Sequence, residues 1–222
     1  MREITVEQLT QVIERLCIDA CQFLPKDVKE AIARCRACED WAIARGILDD
    51  IIENYRLAEE KKMPICQDTG MACVFLEIGQ DVHFTGGNLT EAVNEGVRRG
   101  YANGYLRKSV VKDPVRRGNT GDNTPAMLYT EIVPGDQVKI TVAPKGFGSE
   151  NMSAVRMFKP SAGIEGIKEF ILETVEAAGP NPCPPIVIGV GIGGTFDKAA
   201  LLAKKALLRD LGSHHPDPYY AE

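Results

Sequence analysis

The segment Pro64-Ile65-Cys66-Gln67-Asp68-Thr69-Gly70 lies where the hydrophobic pattern of the chain changes from helical to mixed. Pro64 and Gly70 bracket this segment, which favours a shaped loop over a continuous helix. Before the loop, apolar residues recur at helical spacing and predict three helices, at about 4–23, 25–38 and 40–60. After the loop, strand patterns alternate with helical ones. Helices first and mixed units later indicate an α+β fold.

The part of the chain after the loop is predicted to combine strands and helices. Strands at 127–132 and 138–142 flank Val133-Pro134-Gly135-Asp136, where Pro followed by Gly favours a type II turn and therefore a β-hairpin. The other predicted elements are, in order, a strand at 72–78, a helix from the N-cap Asn88 to about 106, a helix at 164–178 that ends at Gly179, a strand at 186–190 and a helix at 196–211.

These elements predict three regions along the chain. Residues 1–62 form an N-terminal helical region, and residues 63–212 form a mixed α/β portion with the hairpin and a terminal strand–helix unit. Residues 213–222 are rich in His, Pro and Asp, which is typical of a linker. We expect this linker to lead toward a further C-terminal segment.

Cys66, Gln67 and Asp68 place a thiol, an amide and a carboxylate side by side in the first loop. A thiolate is a soft ligand for iron–sulfur clusters or zinc, and a carboxylate beside a Lewis-acidic metal can transfer a proton. The alternative is a buried free cysteine at the entry to a strand, because free cysteine is often a core residue.

Cys183 lies in a second loop, Gly179-Pro180-Asn181-Pro182-Cys183-Pro184-Pro185. Three prolines within two residues of the sulfur restrict the backbone, so the thiol is presented from a stiff, non-helical turn that suits a metal ligand. The alternative is a proline-rich connector between a helix and a strand.

The other five cysteines are expected to pack in the core. Cys35 and Cys38 form a CxxC pair, but they lie inside a helical pattern and have no second Cys/His pair at zinc-finger spacing. Cys73 lies in an apolar strand pattern, and Cys17 and Cys21 lie one turn apart on a predicted helical stripe.

The composition is that of an ordinary globular protein, with 44% hydrophobic and 26% charged residues among 222. No apolar run approaches the ~20 residues that a spanning helix needs. Seven cysteines without secretory features predict reduced thiols and a cytoplasmic location.

The net charge of −5 argues against general nucleic-acid binding, yet positive charge is concentrated in one stretch. This stretch is either a solvated helix face with its following loop or a local field that attracts a small dicarboxylate. Its cations are Arg98, Arg99, Arg107, Lys108, Lys112, Arg116 and Arg117.

Several separated motifs, in order, resemble the iron–sulfur chain of the class I fumarate hydratase and L-tartrate dehydratase family. Separated motifs in the right order are far more specific than one motif alone. They are Pro64 to Gly70, Leu106-Arg107-Lys108-Ser109, Gly118-Asn119-Thr120-Gly121-Asp122-Asn123, Lys145-Gly146-Phe147-Gly148-Ser149-Glu150-Asn151, Cys183-Pro184-Pro185 and Gly193-Gly194-Thr195.

The resemblance implies a [4Fe–4S] cluster held by three cysteines, with Cys66 and Cys183 as two of the ligands. In the family the third ligand comes from farther along the same subunit, and the sequence has no cysteine after Cys183. We therefore expect this chain to be the N-terminal part of an alpha subunit, inactive until it is extended and joined to a complementary beta subunit.

The resemblance also implies the reaction, reversible hydration of fumarate to L-malate, or alternatively dehydration of L-tartrate. It implies Asp68 as the catalytic acid/base group, and Gln67, Arg107 and the Gly148 backbone N–H as substrate-binding groups. A glycine allows close approach of substrate to backbone, although a turn that requires positive φ is the alternative for Gly148.

Two other classes of function stay open from sequence. The segment Gly189-Val190-Gly191-Ile192-Gly193-Gly194 satisfies the G-x-G-x-x-G pattern of dinucleotide sites, but no second strand with an acidic end follows the last helix. The other alternative is a non-catalytic interaction domain.

Overall fold

The computed structural model describes residues 1–221, and the chain divides into two compact units, Met1–Gly146 and Phe147–Glu222. The fold is α+β, as predicted. The three predicted regions stay a prediction, and the last residue of the predicted linker lies outside the described residues. No helix in residues 1–221 combines the length and the apolar character needed to cross a membrane.

The first unit begins with a short strand and three helices, which confirms the three helices predicted before the loop. Thr5 and Gln8 cap the first helix reciprocally, because each side chain accepts from the backbone N–H of the other residue. The elements are β1 (Arg2–Thr5), α1 (Val6–Gln22), α2 (Lys26–Cys38), α3 (Ala42–Lys61), β2 (Met71–Gly79), β3 (Val82–Thr85), α4 (Leu89–Asn103), β4 (Met127–Val133) and β5 (Val138–Lys145).

The main sheet of this unit has the strand order β4-β2-β5, and β1 pairs separately with β3. β2 is parallel to β4, with Phe75 opposite Tyr129, and antiparallel to β5, with Phe75 opposite Thr141. The predicted hairpin between β4 and β5 is therefore wrong. The apolar strand β2 lies between them, and the turn after β4 crosses its end, where the Gly79 N–H donates to the Gln137 carbonyl at 2.8 Å.

Two helices, α1 and α4, cover the core of this unit. Gly96 and Gly100 on α4 face α1 so closely that a Cβ atom on them would lie 2.8 Å from the Ile13 Cβ and 2.7 Å from the Cys17 Cβ. Because glycine has no side chain, the two helix backbones can approach this closely. The buried apolar residues between these helices and β2 include Leu9, Ile13, Val74, Leu76, Val93, Val97 and Tyr101.

The helices α2 and α3 pack chiefly on each other, and each buries little. Ile32 is the buried residue of α2, whereas Cys35 and Cys38 are exposed. The prediction that these two cysteines are core residues is wrong, because a helical apolar stripe does not show whether a second neighbour covers it. Cys17, Cys21 and Cys73 are buried, as predicted.

In the second unit, residues 147–221 form four short or medium helices and a 3₁₀ turn at Pro160–Ala162. The predicted strand at 186–190 is absent from the described residues, where no partner strand pairs with it. This segment instead lies against a helix, because a Cβ atom at Gly189 would be 2.3 Å from the Ala203 carbonyl oxygen. The helices are α5 (Phe147–Glu150), α6 (Gly163–Ala178), α7 (Phe196–Ala206) and α8 (Pro218–Ala221).

Candidate active site

The loop of residues 64–70 joins α3 to β2 and is fixed at its entry. The helix α3 is capped by Lys62, whose backbone is left-handed with a φ of 52°. The Ile65 N–H donates to the Cys21 carbonyl at 2.9 Å, and the Asn54 side chain donates to the Ile65 carbonyl at 2.9 Å. These bonds tie the loop to α1 and α3, so the backbone that leads into Cys66 is held in a defined position.

Gly70 fixes the other end of the loop. Its φ is +60°, and a Cβ atom there would lie 2.2 Å from the Lys145 carbonyl oxygen at the end of β5. A side chain would clash with backbone in this place, so the position requires glycine. The end of the loop is therefore held against β5.

Cys66 and Asp68 are both held by short-range hydrogen bonds within the loop. The Asp68 N–H donates to Cys66 Sγ at 3.4 Å, and the Gly70 N–H donates to Asp68 Oδ1 at 2.9 Å. Cys66 is exposed, which overturns the alternative of a buried cysteine. The sulfur is accessible to a ligand, and the orientation of the Asp68 carboxylate is set by backbone.

A cleft of about 400 Å³ brings three of the predicted site residues together, namely Cys66, Gln67 and Arg107. The Thr69 hydroxyl donates to the Arg107 carbonyl at 3.0 Å, which links the two loops that form this cleft. A thiol, an amide and a guanidinium thus share one accessible space, and the last two can donate hydrogen bonds to a carboxylate. The lining residues are Pro64, Ile65, Cys66, Gln67, Thr69, Tyr105 and Arg107.

Tyr101 was not predicted from the sequence as a site residue, but it binds the backbone of the loop that lines the cleft. Its side chain is 1% exposed, and its hydroxyl donates to the Thr69 carbonyl at 2.7 Å. Burial raises the pKa of Tyr101, so the hydroxyl stays protonated and remains a donor. The spacing of Val93, Val97 and Tyr101 on α4 predicts a core position, but it does not reveal the polar contact with the loop.

Two further predicted residues, Gly148 and Cys183, lie in the second unit. Cys183 is exposed, has a φ of 61° and donates its N–H to the Pro180 carbonyl at 3.0 Å. A Cβ atom at Gly148 would lie 3.2 Å from the Asn181 carbonyl oxygen, and its φ is not positive. The alternative of a positive-φ turn at Gly148 is therefore wrong. Within this unit, Gly148 and the loop that carries Cys183 are neighbours.

The cations of the basic stretch fall into two groups. Arg98 and Arg99 on α4 form salt bridges with acidic residues, Arg98 with Asp122 and Arg99 with Glu7 at 2.8 Å, so these two belong to a solvated helix face. The second group is exposed and forms no salt bridge within residues 1–221. It consists of Arg107, Lys108, Lys112, Arg116 and Arg117.

The sequence of this chain matches a known protein family over most of its length. A sequence profile described as fumarate hydratase (Fumerase) matches residues 10–222. The chain belongs to the fumarate hydratase family. The family name, fumarate hydratase, denotes an enzyme that adds water to its substrate, and such enzymes are hydro-lyases. The family therefore places this chain among the hydro-lyases.

Individual relatives of this fumarate hydratase family chain are named as subunits. A Methanocaldococcus jannaschii protein, named provisionally as an L(+)-tartrate dehydratase subunit alpha, is 44% identical over 95% of this chain and 75% of its own length. The L(+)-tartrate dehydratase alpha subunits of Escherichia coli K12 and Shigella sonnei are each 30% identical over 98% of this chain and 72% of their own.

This fumarate hydratase family chain offers two exposed thiols as ligands for a [4Fe–4S] cluster. Within residues 1–221, no three His, Cys, Asp or Glu side chains are grouped to hold a metal ion. Cys66 and Cys183 are nevertheless exposed thiols on loops, and Cys66 Sγ accepts a backbone N–H. Thiolates are the usual ligands of such clusters, so the donor chemistry of these two residues fits the group, and the hydrogen bond to Cys66 Sγ is of the kind that tunes the reduction potential of a cluster.

The dinucleotide alternative loses support in the structure of this family member. A dinucleotide fingerprint needs a strand before its first glycine, and residues 186–190 form no strand in the described chain. Gly189 and Gly191 are instead packed against α7, since a Cβ atom on Gly191 would lie 2.2 Å from the Ala199 carbonyl oxygen. These two glycines permit close packing of the segment on a helix.

Proposed function

We propose that this chain is an alpha-type subunit of a hydro-lyase that reversibly hydrates fumarate to L-malate. The observation that carries the proposal is the single cleft shared by Cys66, Gln67 and Arg107. A second candidate is the dehydration of L(+)-tartrate, because the relative with 44% identity and those with 30% identity carry that name. Both substrates are small dicarboxylates, so the same cleft chemistry serves either reaction.

Cys66 and Cys183 are the proposed thiolate ligands of a [4Fe–4S] cluster. When bound, such a cluster supplies a Lewis acid that polarises a carbon–oxygen bond of the substrate. The thiol groups of this chain contribute to that role by being exposed and carried on loops.

Arg107 is proposed to bind one substrate carboxylate through its planar guanidinium, which can donate two parallel hydrogen bonds. The Gln67 amide, on the same cleft, is proposed to donate to a carboxylate oxygen. The backbone N–H of Gly148, which belongs to the second unit, is a further proposed donor. These groups orient a dianionic substrate and do not need to change protonation state.

Asp68 is the proposed acid/base group. Its Oδ1 accepts the Gly70 N–H, and this bond holds the carboxylate in one orientation beside Gln67. A carboxylate held in one orientation can accept a proton from the substrate and return it without a rearrangement of the loop.

The proposed assembly pairs this chain with a complementary beta subunit in a hetero-oligomer. The support is the naming of the relatives as alpha subunits. We assign to this assembly the contacts with substrate and cluster beyond those proposed for the residues of this chain.

The experiment is co-expression with the complementary subunit, anaerobic purification and assay with fumarate, L-malate and L(+)-tartrate. Arg107→Lys should raise KM by about tenfold or more, because an ammonium cannot reproduce the paired hydrogen bonds. Arg34→Lys, an exposed arginine on α2, is the matched control and should leave KM unchanged. A partnered, reconstituted wild-type enzyme that converts none of the three compounds would overturn the proposal.

A further inference from the structure

Both loops of the cleft are attached to one buried side chain, that of Asn123. Asn123 has no solvent exposure. Its Oδ1 accepts the N–H of Ser109 at 2.7 Å and that of Val110 at 3.0 Å, and its Nδ2 donates to the Gly70 carbonyl at 3.0 Å. One amide therefore joins the segment that follows Arg107 to the segment that follows Asp68.

The chemistry of this position matches asparagine closely. The backbone φ of Asn123 is 62°, in the left-handed region that asparagine tolerates better than most residues with a side chain. An amide is also both donor and acceptor, so it can satisfy two N–H groups with its oxygen and a carbonyl with its nitrogen. Aspartate would keep the acceptor, but it would place a second oxygen against the Gly70 carbonyl.

The bonds of Asn123 reach the cleft over short stretches of backbone. Ser109 is two residues beyond Arg107, and Gly70 is two residues beyond Asp68. The Thr69 hydroxyl adds a direct link between the loops through the Arg107 carbonyl. The distance between the Arg107 backbone and the Cys66–Asp68 loop therefore depends on these few hydrogen bonds.

We infer that Asn123 is a positioning residue for the dicarboxylate site. It does not line the cleft, and it acts by holding the Arg107 segment at a fixed distance from the loop that carries Cys66, Gln67 and Asp68. We call the three hydrogen bonds of Asn123 with Ser109, Val110 and Gly70 the clamp. The inference rests on the proposed function only for its kinetic consequence, because the clamp itself is a property of the chain.

The first test is amide hydrogen exchange on the full chain without substrate. Asn123→Gly keeps the left-handed backbone and removes the clamp, so exchange of the Ser109 and Val110 amides, which donate to Asn123 Oδ1, should be about tenfold faster. Asn123→Asp should keep protection at Ser109 and Val110, because its carboxylate still accepts both N–H groups. Loss of the Nδ2 donor should instead shift the carbonyl ¹³C resonance of Gly70.

The matched control is Thr10→Val, which also removes a buried hydrogen bond in the same unit. The Thr10 hydroxyl donates to the Ala92 carbonyl at 3.0 Å, between α1 and α4 and away from the cleft. This variant should leave exchange at Ser109 and Val110 unchanged. Equal acceleration in Thr10→Val and Asn123→Gly would overturn the clamp, as would unchanged exchange in Asn123→Gly.

The second test is kinetic and uses the partnered, cluster-loaded enzyme with fumarate and L(+)-tartrate. Asn123→Gly should raise KM about tenfold and change kcat by less, because a displaced arginine weakens substrate and transition state alike. Thr10→Val should change neither constant. Loosened loops with an unchanged KM would overturn the positioning role. If the wild-type enzyme converts neither compound, the proposed function fails, and the exchange data still decide whether the clamp exists.

Discussion

Cys66 and Cys35 are both exposed cysteines, but only Cys66 lies on the cleft beside Gln67 and Arg107. We predict that Cys66→Ala abolishes the broad visible absorption of the reconstituted, partnered enzyme, because a thiolate ligand is lost. Cys35→Ala is the matched control and should keep the absorption. Full absorption in Cys66→Ala would remove this residue from the set of ligands.

Asp68 permits a test that separates chemistry from loop structure. Asp68→Asn keeps an oxygen that can accept the Gly70 N–H, so the loop should be preserved and KM nearly unchanged. The amide cannot exchange a proton as a carboxylate does, so we expect kcat to fall by ~10²-fold or more. Asp50→Asn, an exposed change on α3, is the control for the added amide and should have wild-type kinetics. Wild-type turnover in Asp68→Asn would contradict the acid/base role.

At the scale of elements, the contact of α1 with α4 depends on two glycines that sequence patterns do not single out. Gly100→Ala would place a Cβ atom 2.7 Å from the Cys17 Cβ, so the helices would have to move apart. We expect the free energy of unfolding to fall by roughly 1–3 kcal/mol, the range for overpacked cores. Chemical denaturation of the chain measures this change.

A second glycine supplies the control, with the opposite sign. Gly46 lies within α3, and a Cβ atom there would meet nothing within 4 Å. Gly46→Ala should raise the free energy of unfolding by about 0.5–1 kcal/mol, because alanine restricts the unfolded chain and favours helix. Stabilisation by both substitutions would show that α1 and α4 are not in close contact.

At this scale, helices and strands were predicted correctly where their sequence signals are local, and wrongly where they depend on contacts distant in sequence. The helices α1 to α3 and the strand β2 were predictable because their apolar spacing and the Pro64–Gly70 boundary are local signals. The hairpin failed because β4 and β5 each pair with β2, a choice made by contacts distant in sequence. The expected strand at 186–190 failed for a similar reason, since a strand exists only where another strand pairs with it.

In the candidate site too, sequence predicts the residues that a local motif marks and misses the roles that depend on remote contacts. Cys66, Gln67 and Arg107 could be proposed from motifs, and the structure brings these three to one cleft. The roles of Tyr101 and Asn123 could not, although Asn123 ends one of the motifs, because these roles consist of hydrogen bonds to backbone carbonyl and N–H groups of remote loops. Such bonds carry no residue pattern that a single sequence can reveal.

At the scale of the whole molecule, the charge is unevenly distributed. The net charge is −5, yet residues 107–117 contain five cations and one acid, Asp113. The Asp113 carboxylate accepts the backbone N–H groups of Val115 and Arg116, and the cations form no salt bridge in the described chain. Arg107 connects this stretch to the cleft, so the positive field extends to the place where a dianion would enter.

This distribution predicts a salt-dependent approach of substrate. The triple change Lys112→Gln, Arg116→Gln and Arg117→Gln should lower kcat/KM about tenfold at low ionic strength, with little change in kcat, because attraction raises the local concentration of a dianion. The difference from wild type should shrink as salt rises, since at 0.1 M the screening length is already ~10 Å. Initial rates measured over a range of salt concentrations provide the data.

The matched control for this prediction neutralises three exposed cations that do not line the cleft, by Arg15→Gln, Lys26→Gln and Arg34→Gln on α1 and α2. Both triple variants change the net charge by the same amount, so a difference between them depends on where the charges lie and not on the net charge. The control should retain nearly wild-type kcat/KM at every salt concentration. Equal losses of kcat/KM in the two variants would assign the effect to net charge. A loss that persists at 1 M salt would mean that the stretch contacts the substrate directly or shapes the cleft. Either result would contradict attraction of the substrate from a distance.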